Sequence, residues 1–475
     1  MKQFKIITIL LFSLLVSVGC DKGFEDLNKD PNNPIAVPSD LLIPGIVRAA
    51  QNESYSTFTG GDMGACWSQQ FAKVQYNDEA RYIPRQSVIS RVWTTYYSVV
   101  IADAVSMYDI AINEGNANMQ GVALTLQAYG FAYLTDVYGD IPFSEAIKAG
   151  EGNIAPKYDA QADVYTGVLA MLDEAISKLG TSGSIDATND ILYGGNAGLW
   201  KKFASSLKFR VLMRASGKMD VSADLQTLVN SRNLFTSNDE DAKLVYLGAD
   251  PSANPLYESI VFGTRGEWKI NEVMVDRLNA DNDPRLPVYA AKNDAGEYRG
   301  KPSGLKDVPS DDWGYTNVSA LGDFYLRPEL PGFFMSYPQL QFLKAEAITK
   351  GFISGDANAE YLEGISASLD FNQVAGSDAA SFLSEKALSG TQSQAIEQIA
   401  TQEWISLYSQ GVESWNELRR TRFPALSPAL EADLNEIPSR YNYPTIEVSL
   451  NKANYDAAVA AQGADNLTTK VWWMN

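Results

Sequence analysis

Apolar residues recur at three- and four-residue spacing along four stretches of the chain, which predicts four amphipathic helices. The four stripes are Val92, Tyr96, Val99, Val100, Ala104 and Met107; Val122, Leu126, Tyr129, Tyr133 and Val137; Val164, Val168, Leu172, Ile176 and Leu179; and Leu199, Phe203, Leu207 and Val211. Asp159 is the predicted N-cap of the third helix. Because turns rich in Gly, Asn and Ser join these stretches, we expect stacked helical hairpins of the tetratricopeptide kind.

A second group of helices is predicted after a long irregular segment. Residues 231–337 are rich in Gly, Pro, Asp and aromatic side chains, with one short predicted helix at 272–279. Two capping-box patterns then start new helices, one at Ser336 with Gln339 and one at Thr391 with Gln394. Long irregular segments inside a domain usually carry function.

The expected fold is therefore mainly α, with tetratricopeptide-like hairpins as a scaffold, a large loop-rich ligand face and few short strands. Residues 39–475 would form a single domain. Its scaffold would lie mainly in 85–230 and 336–423, and its loop-rich face mainly in 231–335 and 424–475.

The first 19 residues have the pattern of a secretion signal. Lys2 and Lys5 precede an apolar run over residues 6–18, which is too short to span about 30 Å of hydrocarbon. The run ends in Ser-Val-Gly-Cys, which predicts cleavage before Cys20 and lipidation of its thiol, although Ser17 stands where Leu is usual. The alternative is an ordinary signal peptide with a chance cysteine. Residues 20–38, rich in Pro and Asn, would be the lipidated tether, and several acyl chains would anchor it stably.

Composition removes whole classes of chemistry. The chain has no histidine, which excludes Ser-His-Asp catalysis and histidine-ligated zinc. With Cys20 lipidated, Cys66 alone cannot form a disulfide or a thiolate metal site, and we predict no metal and no cofactor. The net charge is −20, and about −22 once the two signal lysines are removed, which argues against nucleic acid. Glycoside hydrolysis by two carboxylates stays open on composition alone.

Five segments carry a resemblance to the SusD/RagB family of outer-membrane nutrient-binding lipoproteins. Leu-Thr-Asp-Val-Tyr-Gly-Asp-Ile-Pro-Phe is similar to the family's strongest signature, and Arg422 stands where relatives often have glycine. In order, the segments are residues 24–34, 134–143, 335–351, 411–424 and 440–455. The resemblance implies a non-enzymatic lipoprotein, anchored in the outer membrane and facing the cell exterior. It implies capture of oligosaccharides, or of peptides in some relatives, and their delivery to a SusC-like TonB-dependent transporter.

We expect the signature residues themselves to be structural. Gly139 is suited to end a helix with φ > 0, and Pro142 prevents its continuation. Asp140 is expected to accept backbone N–H groups in that turn. Arg419, Arg420 and Glu447 are candidates for buried ion pairs that hold the C-terminal segment on the scaffold.

Two loop regions combine flat aromatic side chains with polar groups, as a sugar-binding surface requires. They are residues 63–85 and 265–334, which also contain Gln70, Asn77 and Phe333. The candidate ligand-binding residues are Trp67, Tyr76, Tyr82, Arg265, Trp268, Asp311, Trp313, Tyr315 and Tyr325. Trp313 and Tyr315 are favoured because Gly and Asp surround them, while core packing stays an equal alternative for the loop aromatics. Glycan capture is the leading hypothesis; a peptide importer subunit, a protein-binding helical adaptor and a lipid-anchored glycosidase are the alternatives.

Overall fold

The computed structural model describes residues 37–474, and the predicted mainly α fold is confirmed. Residues 1–36, with the signal segment, Cys20 and most of the tether, lie outside the described part. The helices are α1 Ile43–Ser54, α2 Gln86–Thr95, α3 Ala102–Asn113, α4 Ala117–Tyr138, α5 Gln161–Lys178, α6 Ala197–Ala215, α7 Ser222–Ser231, α8 Glu272–Ala280, α9 Leu286–Tyr289, α10 Tyr337–Thr349, α11 Ala357–Phe371, α12 Gly376–Ser384, α13 Gln392–Ser406, α14 Gly411–Thr421, α15 Thr445–Leu450 and α16 Lys452–Gln462. The strands are β1 Phe71–Lys73, β2 Ala242–Leu244, β3 Trp268–Ile270 and β4 Gly332–Met335.

The first predicted stripe forms one continuous helical rod. α2 passes through a π-helical turn, Tyr96–Ile101, directly into α3, and the stripe residues Val92, Tyr96 and Met107 are buried. α4 packs on this rod, α5 packs on α4, and α6 packs on α5. The apolar stripes thus face one another across successive helices, as helical hairpins require.

The second helical group packs in the same way. α10 contacts both α11 and α13, and α13 contacts α14. The two groups meet where α6 packs against α10. No helix within residues 37–474 is long and apolar enough to cross a membrane.

One predicted cap is confirmed and two are wrong. Thr391 and Gln394 form a reciprocal capping box at the start of α13. The Ser336 side chain makes no cap hydrogen bond at α10. Asp159 does not cap α5, because its carboxylate accepts from the backbone N–H groups of Phe143 and Ser144. The first N–H of α5 is instead donated to Asp140, 2.8 Å away, so this signature aspartate caps the next helix.

Gly139 holds the turn after α4 in a conformation that requires glycine. Its φ is +88°, and a Cβ there would lie 1.9 Å from the side-chain oxygen of Gln462. That oxygen accepts from the backbone N–H of Asp140, while Tyr443 donates to the Asp140 carbonyl at 2.6 Å. The strongest signature therefore joins α4 to the C-terminal segment. The predicted positive φ of Gly139 is confirmed, whereas the Asp140 carboxylate accepts from the N–H of Gln161 and not, as expected, from an N–H group of its own turn.

A buried network of charges connects the two helical groups. Arg214 on α6 pairs with Asp136 on α4, and with Glu413 and Glu417 on α14. Arg420 pairs with Glu417 at 2.7 Å. All of these side chains are buried or nearly so. Charges in such surroundings persist only when they are paired.

The predicted ion pairs of the C-terminal signature are confirmed only for Arg420. Its guanidinium binds the buried Glu346 through both nitrogens, at 2.7 and 2.5 Å. Arg419 instead donates to backbone carbonyls, that of Ser439 at 2.6 Å and that of Asp136 at 2.9 Å. Glu447 forms no ion pair with any residue in 37–474 and accepts from the hydroxyl of Tyr158 at 2.8 Å. Arg422 ends α14 with φ +65°, a backbone conformation that favours glycine.

Two small antiparallel sheets order the loop-rich segments. β1 pairs with β3, with Phe71 opposite Ile270 and Lys73 opposite Trp268. β2 pairs with β4. The first sheet joins the two loop regions that contain the candidate ligand-binding residues of the sequence analysis.

Candidate ligand-binding site

The structure places five of the nine candidate residues at least partly in contact with solvent. Tyr76 is 53% exposed, Asp311 is exposed, and the other three are half-buried. The five are Tyr76, Arg265, Asp311, Trp313 and Tyr315.

The other four candidates are core residues in this structure and do not present a ring to a ligand. Trp67 is fully buried, donates to the carbonyl of Glu79 at 2.8 Å and packs edge-on against Trp415 and Tyr441. Three further buried members of these loops are Gln70, Asn77 and Phe333. These loops fold back onto the helices, so their large aromatic side chains fill the interior.

Tyr82 and Tyr325 are equally buried. Tyr82 accepts a hydrogen bond from the backbone N–H of Ala429 at 2.9 Å. Tyr325 donates to Asn372 at 2.7 Å and packs edge-on against Tyr289. Both use the hydroxyl internally, as buried tyrosines do.

Trp268, the fourth buried candidate, forms the base of the site. Its indole N–H donates to Asp62 at 2.7 Å, and the ammonium of Lys73 lies 4.9 Å from its ring centroid. Lys73 and Asp62 form a fully buried ion pair at 3.0 Å. Burial is the main cause that raises the pKa of Asp62 to about 6, while Lys73 opposes the rise. The Trp268 indole is therefore held in place by Asp62 and Lys73.

Arg265 lies over Trp268 and connects the base to the surface. Its guanidinium carbon is 5.0 Å from the Trp268 ring centroid, and it forms an ion pair with the buried Glu267. The same carbon is 6.0 Å from the ring centroid of Tyr76. Stacking on an indole and pairing with a carboxylate orient a guanidinium, so its free N–H groups point in defined directions.

Tyr76 and Tyr315 flank this arginine. Tyr76 adopts φ +58°, a conformation that is costly for a residue with a bulky side chain and that is found preferentially at functional sites. Tyr315 donates to the side-chain oxygen of Gln75 at 3.2 Å, next to Tyr76 in the chain. Burial raises the pKa of Tyr315, which keeps its hydroxyl protonated. Two partly exposed phenol rings and one guanidinium thus share one surface.

Trp313 lies two residues before Tyr315, on the same loop. The guanidinium of Arg299 covers one face of its ring at 4.2 Å from the centroid. Asp311 accepts from the backbone N–H of Trp313 at 2.8 Å, so its carboxylate shapes the turn. The remaining face and edge of Trp313 are what a ligand could contact.

One aromatic residue of this surface was missed at the sequence level. Phe58 is half-buried in the π-helical segment Thr57–Ala65, and Arg265 lies 5.8 Å from its ring centroid. It precedes the loop region that begins at residue 63, and its neighbours Thr57, Thr59 and Gly60 show no alternation or helical stripe. Its contacts come from arginines distant in sequence, so no local pattern could have selected it.

The arrangement suits recognition of a neutral, hydroxyl-rich ligand. Aromatic rings offer flat apolar faces for the C–H side of a sugar ring, and oriented guanidiniums donate to hydroxyl oxygens at its edge. Among residues 37–474, no group of three or more Asp, Glu or Cys side chains is placed to hold a metal ion.

Comparison with known proteins gave matches over most of the chain. The family model described as "Starch-binding associating with outer membrane" matches residues 31–444. A solved chitin-binding protein is 26% identical, with a TM-score of 0.82, and the match covers 92% of this chain and all of that one. A chitin-binding SusD homologue from Flavobacterium johnsoniae is 24% identical, with a TM-score of 0.81 over 92% of this chain and 98% of that one. A SusD homologue from Bacteroides fragilis is 26% identical, with a TM-score of 0.76 over 93% and 100% of the two chains. A comparison with curated protein sequences gave no significant match.

Proposed function

The chain belongs to the SusD-like family of glycan-binding outer-membrane proteins, and on that premise we propose that it captures a neutral oligosaccharide at the surface formed by Tyr76, Arg265, Trp313 and Tyr315. In this proposal the protein is a binder and not an enzyme. It is held by a lipid on Cys20 at the outer face of the membrane and passes its ligand to a SusC-like TonB-dependent transporter.

The observation that carries the proposal is the exposed ring of Tyr76 beside an arginine fixed on a buried indole. Tyr76 is 53% exposed, although an aromatic ring on this helical scaffold could be buried as Trp67 and Trp268 are. An aromatic ring held open beside oriented donors is the combination that sugar rings need. Single exposed apolar residues are common, so the weight lies on the combination and not on exposure alone.

The proposed ligand class rests on charge. The chain carries a net charge of −20, which repels polyanions at long range. At the site, Arg265 is neutralised by Glu267, whose side chain is only 3% exposed. Starch is named in the family description and chitin for the structural neighbour of 26% identity and TM-score 0.82, and both are neutral glycans. We therefore place neutral glucans and N-acetylglucosamine chains first among candidates.

The test is binding of soluble protein that begins after Cys20 to four groups of ligands. These are α-glucans, N-acetylglucosamine oligosaccharides, acidic glycans and peptides, measured by affinity electrophoresis and calorimetry. Binding of a neutral glycan without its hydrolysis supports the proposal. A response to peptides alone would assign the chain to the peptide-importing branch. No detectable binding of any of these ligands, together with retained binding to a transporter, would indicate that the protein is an adaptor.

A variant locates the binding on this surface. Tyr76→Ala is expected to weaken glycan affinity by about 1–3 kcal/mol, in the range of aromatic hot spots, without changing thermal stability. Phe352→Ala is the control, since Phe352 is, like Tyr76, an aromatic residue partly open to solvent and near a cation, with Lys350 at 5.9 Å from its ring. If Tyr76→Ala and Phe352→Ala bind the glycan with equal affinity, the binding site lies elsewhere on the protein.

A further inference from the structure

Phe58 is surrounded by three arginines that come from different parts of the chain. The guanidinium carbons of Arg85, Arg265 and Arg91 lie 4.8, 5.8 and 6.0 Å from its ring centroid. These side chains are 44%, 37% and 41% exposed. Cations at this distance from a ring are attracted to it, so the phenyl group holds three partly exposed guanidiniums in one cluster. We call Phe58 with these arginines the Phe58 cluster.

Each arginine of the cluster has its own buried carboxylate. Arg85 pairs with Glu79, Arg265 pairs with Glu267, and Arg91 binds Glu53 at 2.8 Å. The three carboxylates are at most 5% exposed. The cluster as a whole is therefore electrically neutral, while part of each guanidinium still faces solvent. It offers hydrogen-bond donors without attracting anions.

A groove adjoins the Phe58 cluster, and Phe58 and Arg91 line it. It encloses about 480 Å³, and Glu258 adds a half-buried acceptor to its wall. Two π-helical segments, Thr57–Ala65 and Tyr257–Phe262, meet across it through the hydroxyls of Thr57 and Ser259, 3.2 Å apart. π-Helical turns are uncommon and occur frequently at functional sites. The other lining residues are Ala49, Asn52, Glu53, Ser56, Thr95, Pro251, Ala253 and Pro255.

Arg265 links this groove to the site around Tyr76. Its guanidinium lies within about 6 Å of both the Tyr76 and the Phe58 ring, so the two ring centroids are at most about 12 Å apart. A chain of several sugar rings is therefore long enough to contact the Tyr76 ring and still occupy the groove beside Phe58, which gives longer chains more contacts than short ones.

We propose that the Phe58 cluster and its groove are a second subsite on the same ligand surface, which selects longer neutral glycan chains over short ones. The inference rests on the proposed glycan-binding function. Phe58 acts as a positioning residue for the guanidiniums, and Arg91, which lines the groove, donates to the distal sugar rings.

The test compares the disaccharide and the hexasaccharide of N-acetylglucosamine, with maltose and maltohexaose in parallel, by calorimetry. Arg91→Lys keeps the positive charge next to Glu53 but removes the planar fork of donors. Phe58→Ala releases the cluster. Arg91→Lys is expected to lose about tenfold in affinity for the hexasaccharide and less than about twofold for the disaccharide. Phe58→Ala also frees Arg265 of the first site, so it is expected to weaken the binding of both lengths, and that of the hexasaccharide more strongly. Tyr76→Ala should weaken the binding of both the disaccharide and the hexasaccharide. Phe352→Ala should weaken the binding of neither.

The outcomes separate the two proposals. If no sugar binds the unmodified protein, the proposed function fails. If sugars bind but Arg91→Lys and Phe58→Ala weaken both lengths equally, or neither, the second subsite is overturned and the function stands.

Hydrogen exchange of the unmodified protein gives an answer that no folding defect can affect. The hexasaccharide should protect segments Thr57–Ala65 and Tyr257–Phe262 and the disaccharide should not; equal protection by both would also overturn the subsite.

Discussion

Replacing Arg420 with methionine is expected to destabilise the protein strongly, because Arg420 neutralises a carboxylate in the interior. Its guanidinium binds both oxygens of Glu346, at 2.7 and 2.5 Å, and also Glu417. The Arg420 and Glu346 side chains are 6% and 2% exposed. Removing one partner of a buried ion pair costs about 3–5 kcal/mol when the other charge is left behind without compensation. Lys350, 2.6 Å from Glu346, keeps part of that compensation, so the lower end of this range is expected.

The pKa of Glu346 gives an independent estimate of the same size. Despite burial, Arg420 and Lys350 lower it from 4.5 to about 2. That difference corresponds to about 3 kcal/mol of stability, at about 1.4 kcal/mol for each tenfold change. Since the folded-state pKa is depressed, this stability is present above pH 4.5 and is lost as the pH falls toward 2. Nearby Glu403, whose pKa burial and Glu417 raise, is favoured in its neutral form and does not replace this contribution.

The assay is urea denaturation followed by tryptophan fluorescence, at about pH 7 and about pH 4. Arg420→Met should lower the free energy of unfolding by about 3 kcal/mol at the higher pH, and by less at the lower pH, where Glu346 takes up a proton more easily. The double variant Arg420→Met with Glu346→Gln should be more stable than Arg420→Met alone. Lys452→Met is the control, since it breaks an exposed ion pair with Asp456 at 2.8 Å and should cost less than about 1 kcal/mol. A cost for Arg420→Met no larger than that of the control would refute the reasoning.

Three further variants test other parts of the structure. Gly139→Ala should lower the free energy of unfolding by at least about 1–3 kcal/mol, because Gly139 has a positive φ and a Cβ there would make a close contact. Gly45→Ala, at an open helical position, should raise it by up to about 1 kcal/mol, and chemical denaturation compares the two variants. Trp313→Ala should weaken glycan binding with no change in melting temperature, whereas Trp67→Ala should lower the free energy of unfolding by about 3–5 kcal/mol. A large loss of stability in Trp313→Ala would show that Trp313 is a scaffold residue. Because the folded-state pKa of Asp62 is raised from 3.8 to about 6, its stabilising contribution is present below pH 3.8 and is lost as the pH rises through 6. Urea titrations at about pH 4 and pH 7 measure this fall in unfolding free energy, which should be absent in Asp62→Asn. An unchanged fall in the variant would mean that Asp62 does not titrate in this range.

The helical scaffold could be predicted from the sequence because its signals are local. The stripe from Val92 to Met107 repeats within a few turns of one helix, and the capping box at Thr391 involves residues three positions apart. Where a cap depends on a distant group, prediction failed. Asp140 caps α5 from the turn after α4, and Asp159, closer in sequence, bonds elsewhere.

The candidate site could be predicted only in part, because exposure of a loop aromatic depends on distant partners. Trp67 is buried by Trp415 and Tyr441, which lie more than 300 positions later in the chain. Tyr76, in the same loop, meets no such partners and stays open. Phe58 was missed for the same reason, since its arginines are brought to it by the fold.

The division between signature residues and ligand surface has a physical origin. Gly139, Asp140 and Arg420 are bound to several elements at once, so their substitution would disturb the joints between the helical groups and the C-terminal segment. The ligand surface stands on the short β1–β3 pair and on loops, where side chains can change without altering those joints. The resemblance thus identifies the scaffold, whereas the ligand must be inferred from Tyr76, Arg265 and their neighbours. In that surface the partly exposed Arg85, Arg91 and Arg265 are each matched by a buried glutamate. A chain with net charge −20 thereby presents oriented donors that attract hydroxyls without attracting anions, which is the physical basis for proposing a neutral glycan.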